Sequence, residues 1–301
     1  MPSLNTEKRT LDLPAALSPA LLDEAVSCFA ARYAALDCGT LGRSMLDHPL
    51  HRLNLGGGSP AVIYLGGQRG GDAVTSALLG RFVNEYCEQH SRGGRLYGIT
   101  LPYLATLRRI HVLPMLNPDG ISYALEGVAD DHILRPRLLS MNGGDNFSAW
   151  QANARGVDLC RNYAADAGSF MRRRQTADCA CSGGAPFGWC GESAESEPES
   201  AALGRFLRSL PDAAMMIELR CGKEQVMLPR DADRHTVALG RLLGRLCSMP
   251  TVRSDGGEIC DWSAALGVPG YIIFCGTGGS VFARYAAVRE MLFTAPTLVG
   301  R

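Results

Sequence analysis

The residues that metal or thiol chemistry would draw on first in this chain are six histidines (His48, His51, His90, His111, His132 and His235) and eleven cysteines. The cysteines form no Cys-x-x-Cys pair and no Cys/His spacing of a metal site. Cys179-x-Cys181 with Cys190 lacks a fourth ligand in register and carries no metal assignment. His111 lies in an apolar run and reads as a core histidine with satisfied ring nitrogens. Gly276-Thr277-Gly278-Gly279 has the glycines of a phosphate loop without its lysine or its frame, and reads as the loop after a strand.

The elements that would position a site are legible from periodicity. Residues 61–65 (AVIYL) are continuously apolar between glycines, the pattern of a strand covered on both faces. Residues 110–116, 213–219 and 271–275 read as further strands, with Pro114 arguing for an edge position or a bulge. Residues 42–55 suggest a short strand pair. Helices are expected over 19–36, 73–88, 196–210, 236–246 and 281–293, the last ended by Pro296. Ser196 with Glu199 has the spacing of a capping box, and Asp72 is placed to cap the helix starting at Ala73. Residues 121–148 and 178–195 read as loops, and Asn117-Pro118-Asp119-Gly120 as a turn. Strands alternating with helices imply an α/β layer architecture with a largely parallel sheet. Ligands of such sheets sit at the strand C-terminal ends, here the loops after Leu65, Leu116, Leu219 and Cys275.

Composition narrows the class of protein. With 301 residues, 46% hydrophobic and 20% charged, the chain can bury a core without a disulfide or metal staple. Lys plus Arg equals Asp plus Glu at 30 each, so charge gives no argument for nucleic acid or an anionic membrane. The start, MPSLNTEKRTLDLPAAL, carries charges where a secretory signal needs an apolar run, and no segment approaches the roughly 18 apolar residues of a membrane span. Scattered cysteines, odd in number, fit reduced thiols in a cytoplasmic protein. With no repeat or linker, the expectation is one domain over 1–301, with an N-terminal helical segment over 1–40 and a core over 41–293.

Three segments read together carry a resemblance: Trp150 to Asn162 (WQANARGVDLCRN), Asn117-Pro118-Asp119-Gly120, and Ser196-Glu197-Pro198-Glu199. They resemble the scaffold signature of the zinc carboxypeptidase family, whose usual form is W-x-x-N-x-x-G-V-D-L-N-R-N between NPDG and SEPE. Gly42-Arg43-Ser44 with Pro49 matches the G-R-S-x-x-x-x-P of related bacterial members, and the likeness runs from about Leu41 to Phe293. It implies a three-layer α/β/α sandwich around a central mixed, largely parallel sheet. It also implies a zinc site built from an H-x-x-E after the first central strand, a later L-H-S-x-G-E, and a general-base glutamate near the end of the last central strand.

This chain departs from the family at those positions. H-x-x-E aligns with Arg69-Gly70-Gly71-Asp72, the second histidine with Arg220, and the general base with Phe274. An arginine neither deprotonates nor tolerates a dication. A phenylalanine takes no proton. The resemblance therefore implies a member with no catalytic residue retained and no zinc. Its N-R pair, which holds the substrate's terminal carboxylate, aligns with Cys160-Arg161, and Arg155 aligns with an arginine that steadies the scissile carbonyl. Arg161 either binds a ligand carboxylate or pairs with an internal acid. Arg69 and Arg220 stand together, either as an anion pocket or with Asp72 neutralising one of them. Cys160, Cys221 and Cys275 fall beside functional positions and read as small core residues.

The leading expectation is a pseudopeptidase that binds a peptide, a cell-wall-type peptide end or a partner protein, with Arg161, Arg155 and Cys160 as contacts. One alternative is an active metallopeptidase with a rewired zinc site of Asp72, Glu218 and Gln68. Another is a structural subunit of a complex.

Overall fold

A computed structural model describes residues 12–175 and 183–300. Cys179 and Cys181 lie outside the described residues. Helix α1 (Pro19–Arg32) leads into an antiparallel pair, β1 (Leu36–Arg43) and β2 (Pro49–Leu55). β3 (Ala61–Leu65), α2 (Ala73–Ser91), the small hairpin β4 (Arg95–Leu96) with β5 (Ile99–Thr100), α3 (Leu101–Leu107) and β6 (Arg109–Leu113) follow. Next come α4 (Pro118–Glu126), α5 (Arg135–Asn142), α6 (Ala167–Arg174) and α7 (Pro198–Arg208). The chain then forms β7 (Ala213–Arg220), β8 (Gly222–Leu228), α8 (Arg234–Cys247), β9 (Thr251–Arg253), α9 (Ile259–Ala265), β10 (Gly270–Gly276) and α10 (Val281–Leu298).

The main sheet has the order β1-β2-β6-β3-β7-β10-β8-β9, with β6, β3, β7 and β10 mutually parallel at its centre. β3 shows why the layers form. All five of its residues are buried, and alternation sends Val62 and Tyr64 to one face and Ile63 and Leu65 to the other. The first face packs against residues of α1, α2, α8 and α10, the second against Leu203 and Leu207 of α7 and Trp262 of α9. Each fully buried Leu or Ile contributes about 1.5–3 kcal/mol over its exposed state. The three-layer sandwich with a mixed, largely parallel sheet is as the resemblance implies. Among the described residues no helix is long and apolar enough to cross a membrane.

Several local expectations need correction. α1 stops at Tyr33, and residues from Leu36 on pair with β2 as an edge strand. Pro114 lies beyond the end of β6, which is an interior strand between β2 and β3. Residues 121–148 hold most of α4 and all of α5, and the Asn117 segment opens a helix: Asn117 is the N-cap, accepting from the Gly120 amide at 2.9 Å, with Pro118 in the first turn. α7 starts at Pro198 with no side-chain cap, because Glu199 is drawn to the Met45 amide at 3.0 Å and to Asn153 at 3.2 Å. Pro296 lies inside α10. A helical proline leaves the carbonyl four residues earlier without its donor, and here Tyr64 Oη donates to that Leu292 carbonyl at 2.7 Å. β8, β9, α3, α6 and α9 have no counterpart among the expected elements. β8 in particular starts with polar residues and pairs with β10 only through tertiary register.

Candidate functional site

The motif segments interlock beneath the C-terminal ends of β3, β7 and β10. Asn117 Nδ2 is 3.2 Å from each of the Gln68, Gln151 and Ala152 carbonyls, tying NPDG to the loop after β3 and to the Trp150 segment. Ser44 Oγ donates to Asp119 at 2.6 Å. Asn153 Nδ2 donates to Glu197 at 2.9 Å and to Glu199 at 3.2 Å, while its Oδ1 accepts the Arg155 and Val157 amides. Asn162 Nδ2 donates to the Cys190 carbonyl at 2.7 Å and to Ser196 Oγ at 3.0 Å. The backbones approach so closely that a Cβ on Gly70 would lie 2.2 Å from the Trp150 carbonyl, and one on Gly120 2.2 Å from the Ala152 carbonyl. Both positions therefore require glycine.

Arg220, at the end of β7, is buried and points to the same face as Glu218. It donates from Nε and Nη2 to the two Glu218 oxygens at 2.9 and 2.7 Å, and from Nη1 to Glu258 at 2.8 Å. Leu219 faces the opposite core. Phe274, paired in register with Arg220 across β7 and β10, has its ring centroid 5.6 Å from the guanidinium. Burial lifts the Glu218 carboxyl above its ordinary range. Burial opposes the charged form of Glu258 too, but the Arg220 guanidinium holds that carboxyl below the usual range.

Arg69, on the loop after β3, donates from Nε to Cys160 Sγ at 3.3 Å. Cys160 in turn donates to Gln68 Oε1 at 3.4 Å, and Gln68 Nε2 donates to Tyr163 Oη at 3.0 Å. Burial pushes the Cys160 thiol well up, so it stays protonated. Asp72 does not cap α2: its Oδ1 accepts the Cys221 amide at 2.9 Å, and its Oδ2 is buried without a partner. Burial raises this carboxyl as well. The acids that neutralise Arg220 are Glu218 and Glu258; Asp72, expected to pair with one of the two arginines, forms no ion pair among the described residues.

Arg69, Gln151, Asp158, Cys160, Arg161 and Phe187 are among the residues lining a cavity of about 280 Å³. Arg161 Nε is 3.9 Å from Asp158 Oδ2, and Arg155 lies outside this lining with its Nε 3.7 Å from Glu197. Cys221 and Cys275 lie outside this lining; Cys275 Sγ donates to the Arg220 carbonyl at 3.3 Å, and burial pushes its thiol up to about 12. Among the described residues no group of three or more His, Cys, Asp or Glu is placed to hold a metal. Of the rewired oxygen set, Glu218 is closed on Arg220 and Gln68 on Tyr163 and Cys160. A guanidinium offers only donors. Arg69 and Arg220, which the resemblance aligns with the two zinc histidines, therefore offer a zinc ion no lone pair, while Asp72 keeps a carboxylate.

His111 is buried in β6 with its ring 5.1 Å from that of Phe206. Neither ring nitrogen has a partner, which corrects the expectation of a satisfied histidine, and burial lowers its pKa to about 4. Glu258 is the residue that the patterns missed. It is the N-cap of α9 in a capping box with Asp261, so a Glu-x-x-Asp after Gly256-Gly257 was the available signal.

Comparison with known proteins bears on this geometry. The family described as zinc carboxypeptidase matches residues 23–254. Gamma-D-glutamyl-L-diamino acid endopeptidase 1 of Lysinibacillus sphaericus is 27% identical over 179 residues, 59% of this chain and 43% of its own length. The chain spans about half the length of the curated relatives it matches. Thrombin activatable fibrinolysis inhibitor superposes with a TM-score of 0.72 at 17% identity, covering 94% of this chain and 73% of its own. Murein-tripeptide amidase MpaA from Escherichia coli O157 superposes with a TM-score of 0.53 at 21% identity, covering 87% and 90%. At these identities the structural likenesses speak for the fold alone.

Proposed function

Since the chain belongs to the zinc carboxypeptidase family, we propose that it is a member without peptidase chemistry, using the family's cleft to bind the carboxylate end of a peptide or of a partner protein. The observation that carries this is Arg220. The residue that the resemblance aligns with the second zinc histidine is a buried cation already held by three hydrogen bonds to Glu218 and Glu258. A fixed guanidinium repels a divalent metal, and Phe274 at the general-base position has no proton to exchange.

Arg161 supports the binding half of the proposal. It lines the cavity with its side chain 36% exposed, and a guanidinium presents a fork matched to a carboxylate. A relative named as a γ-D-glutamyl-L-diamino acid endopeptidase makes a cell-wall-type peptide end the first ligand to try. Cys28, Cys38, Cys87, Cys160, Cys221, Cys247, Cys260 and Cys275 are free thiols, in keeping with a reducing, cytoplasmic compartment as part of the proposal.

The test is turnover. Purified protein, supplied with zinc, is incubated with C-terminal and γ-D-glutamyl peptides, with and without chelator. No chelator-sensitive cleavage is expected. Cleavage abolished by chelator, together with about one zinc per chain, would overturn the proposal.

A further inference from the structure

We infer that the cleft takes a ligand end bearing two carboxylates, with Arg161 receiving one and Arg69 the other. The inference rests on the carboxylate-binding proposal above and names its ligand class.

Arg69 carries the argument. Among the described residues its guanidinium forms no ion pair, and its one side-chain hydrogen bond is from Nε to the Cys160 sulfur. That sulfur is a protonated thiol, which is a weak acceptor and supplies no counter-charge. The acids nearby are committed elsewhere. Asp158 accepts the Cys160 amide at 3.1 Å with one oxygen and the Gly188 amide at 3.1 Å with the other. Glu258 and Glu218 are closed on Arg220. Asp72 bonds the Cys221 amide, and burial shifts it toward its neutral form. Burial opposes the guanidinium's charge, and the neighbouring Asp72 and Asp158 favour it from a distance without contacting it, so a ligand carboxylate would supply the direct contact that the two Nη groups lack.

The two arginines address different parts of a ligand. Arg69 belongs to the inner cavity of about 280 Å³. Arg161 stands, with Glu258, where that cavity meets a second of about 520 Å³, whose lining mixes arginines and acids. The inner volume lies at the lower end of the range for ligand pockets, so it suits one small acidic group. Phe187, 60% exposed and part of the same lining, gives the connecting methylenes an apolar surface.

Isothermal titration calorimetry on the full chain tests this with succinate, glutarate and adipate as probes and glutaramate as the single-carboxylate control. At least one diacid is expected to bind roughly tenfold or more tighter than glutaramate, the scale of one charge-assisted hydrogen-bonded pair. Arg69→Gln is expected to abolish that preference, so that the diacids bind that variant no more tightly than glutaramate does. Arg69→Lys, which keeps the charge without the fork, should retain part of it. Equal binding of diacids and glutaramate by the unaltered protein would overturn the inference and leave carboxylate binding standing. A diacid preference that survives in Arg69→Gln would also overturn it. If none of the four probes binds, the inference and the binding proposal beneath it both fall.

Discussion

Arg220 lies fork to fork on Glu218, two residues earlier on the same strand, with Nε to Oε1 at 2.9 Å and Nη2 to Oε2 at 2.7 Å. Residues i and i+2 of a strand share a face, so the pair is local. The third contact, to Glu258 at 2.8 Å, comes from the start of α9. The guanidinium is thereby saturated on one side by its own strand and on the other by a distant helix.

Breaking this buried pair should be expensive. Glu218→Gln leaves the guanidinium undercompensated and is expected to cost about 3–5 kcal/mol in urea unfolding. The double variant Glu218→Leu/Arg220→Met should recover most of that loss, because well-packed apolar replacements of a buried pair are often neutral. If the single variant unfolds at the same urea concentration as the unaltered protein, the pair is not a structural centre.

Two buried groups should give opposite pH dependences of stability. Burial, then repulsion from Asp119, lifts Glu199 from 4.5 to about 7, so the folded state holds this proton more tightly than the unfolded chain. Its contribution is complete below about pH 4.5 and is lost as the pH rises through 7. Burial depresses His111 from 6.5 to about 4, so its contribution is present above 6.5 and is lost as the pH falls through 4. Urea melts from pH 4 to 8 should show a flatter upper limb in Glu199→Gln and a flatter lower limb in His111→Leu. Parallel curves for all three proteins would refute both assignments.

Close backbone approach makes Gly70 a sensitive position. A Cβ there meets the Trp150 carbonyl at 2.2 Å, a separation that requires the backbone to move. Gly70→Ala is expected to lower stability by about 1–3 kcal/mol, the range for overpacking. It should also weaken carboxylate binding, since Arg69 is the adjacent residue. A melting temperature within 1 °C of the unaltered protein (roughly 0.6 kcal/mol for a domain of this size) would contradict this.

Tyr64 and Pro296 should be energetically coupled. Tyr64→Phe removes the donor to the Leu292 carbonyl and is expected to cost about 1 kcal/mol. In a Pro296→Ala background a helical N–H can serve that carbonyl, so Tyr64→Phe should cost measurably less. A double-mutant cycle with no interaction energy would show that the hydroxyl acts only through packing.

Carboxylate binding should depend on Arg161 through its fork. Arg161→Gln is expected to weaken binding of an N-acetylated peptide end by roughly tenfold or more, from the loss of one charge-assisted pair. Titration of the amidated peptide, which has no terminal carboxylate, provides the control. Equal affinities in the two proteins would place the carboxylate elsewhere.

Much of the scaffold was legible in the chain itself. The AVIYL run, the alternation of buried strands with helices and the three motif segments rest on local apolar pattern and residue identity. They indicated the central strands, the fold class and the family. The weaker elements did not declare themselves. β8 begins Gly-Lys-Glu-Gln and becomes a strand only because β10 and β9 supply its hydrogen-bond partners. The expected Ser196–Glu199 capping box followed a correct spacing rule, yet Glu199 is drawn to Met45, 154 residues away in the chain.

For the site, the resemblance aligned arginines and a phenylalanine with the family's zinc-ligand and base positions, a reading that local residue order alone supplies. Only the tertiary structure decided how those residues are compensated. Asp72 bonds an amide 149 residues away, Glu258 reaches Arg220 across 38 residues, and Arg69 meets Cys160 across 91. Which acid neutralises which arginine is set by the packing of β3, β7 and α9 against one another, and no spacing along the chain encodes that distance.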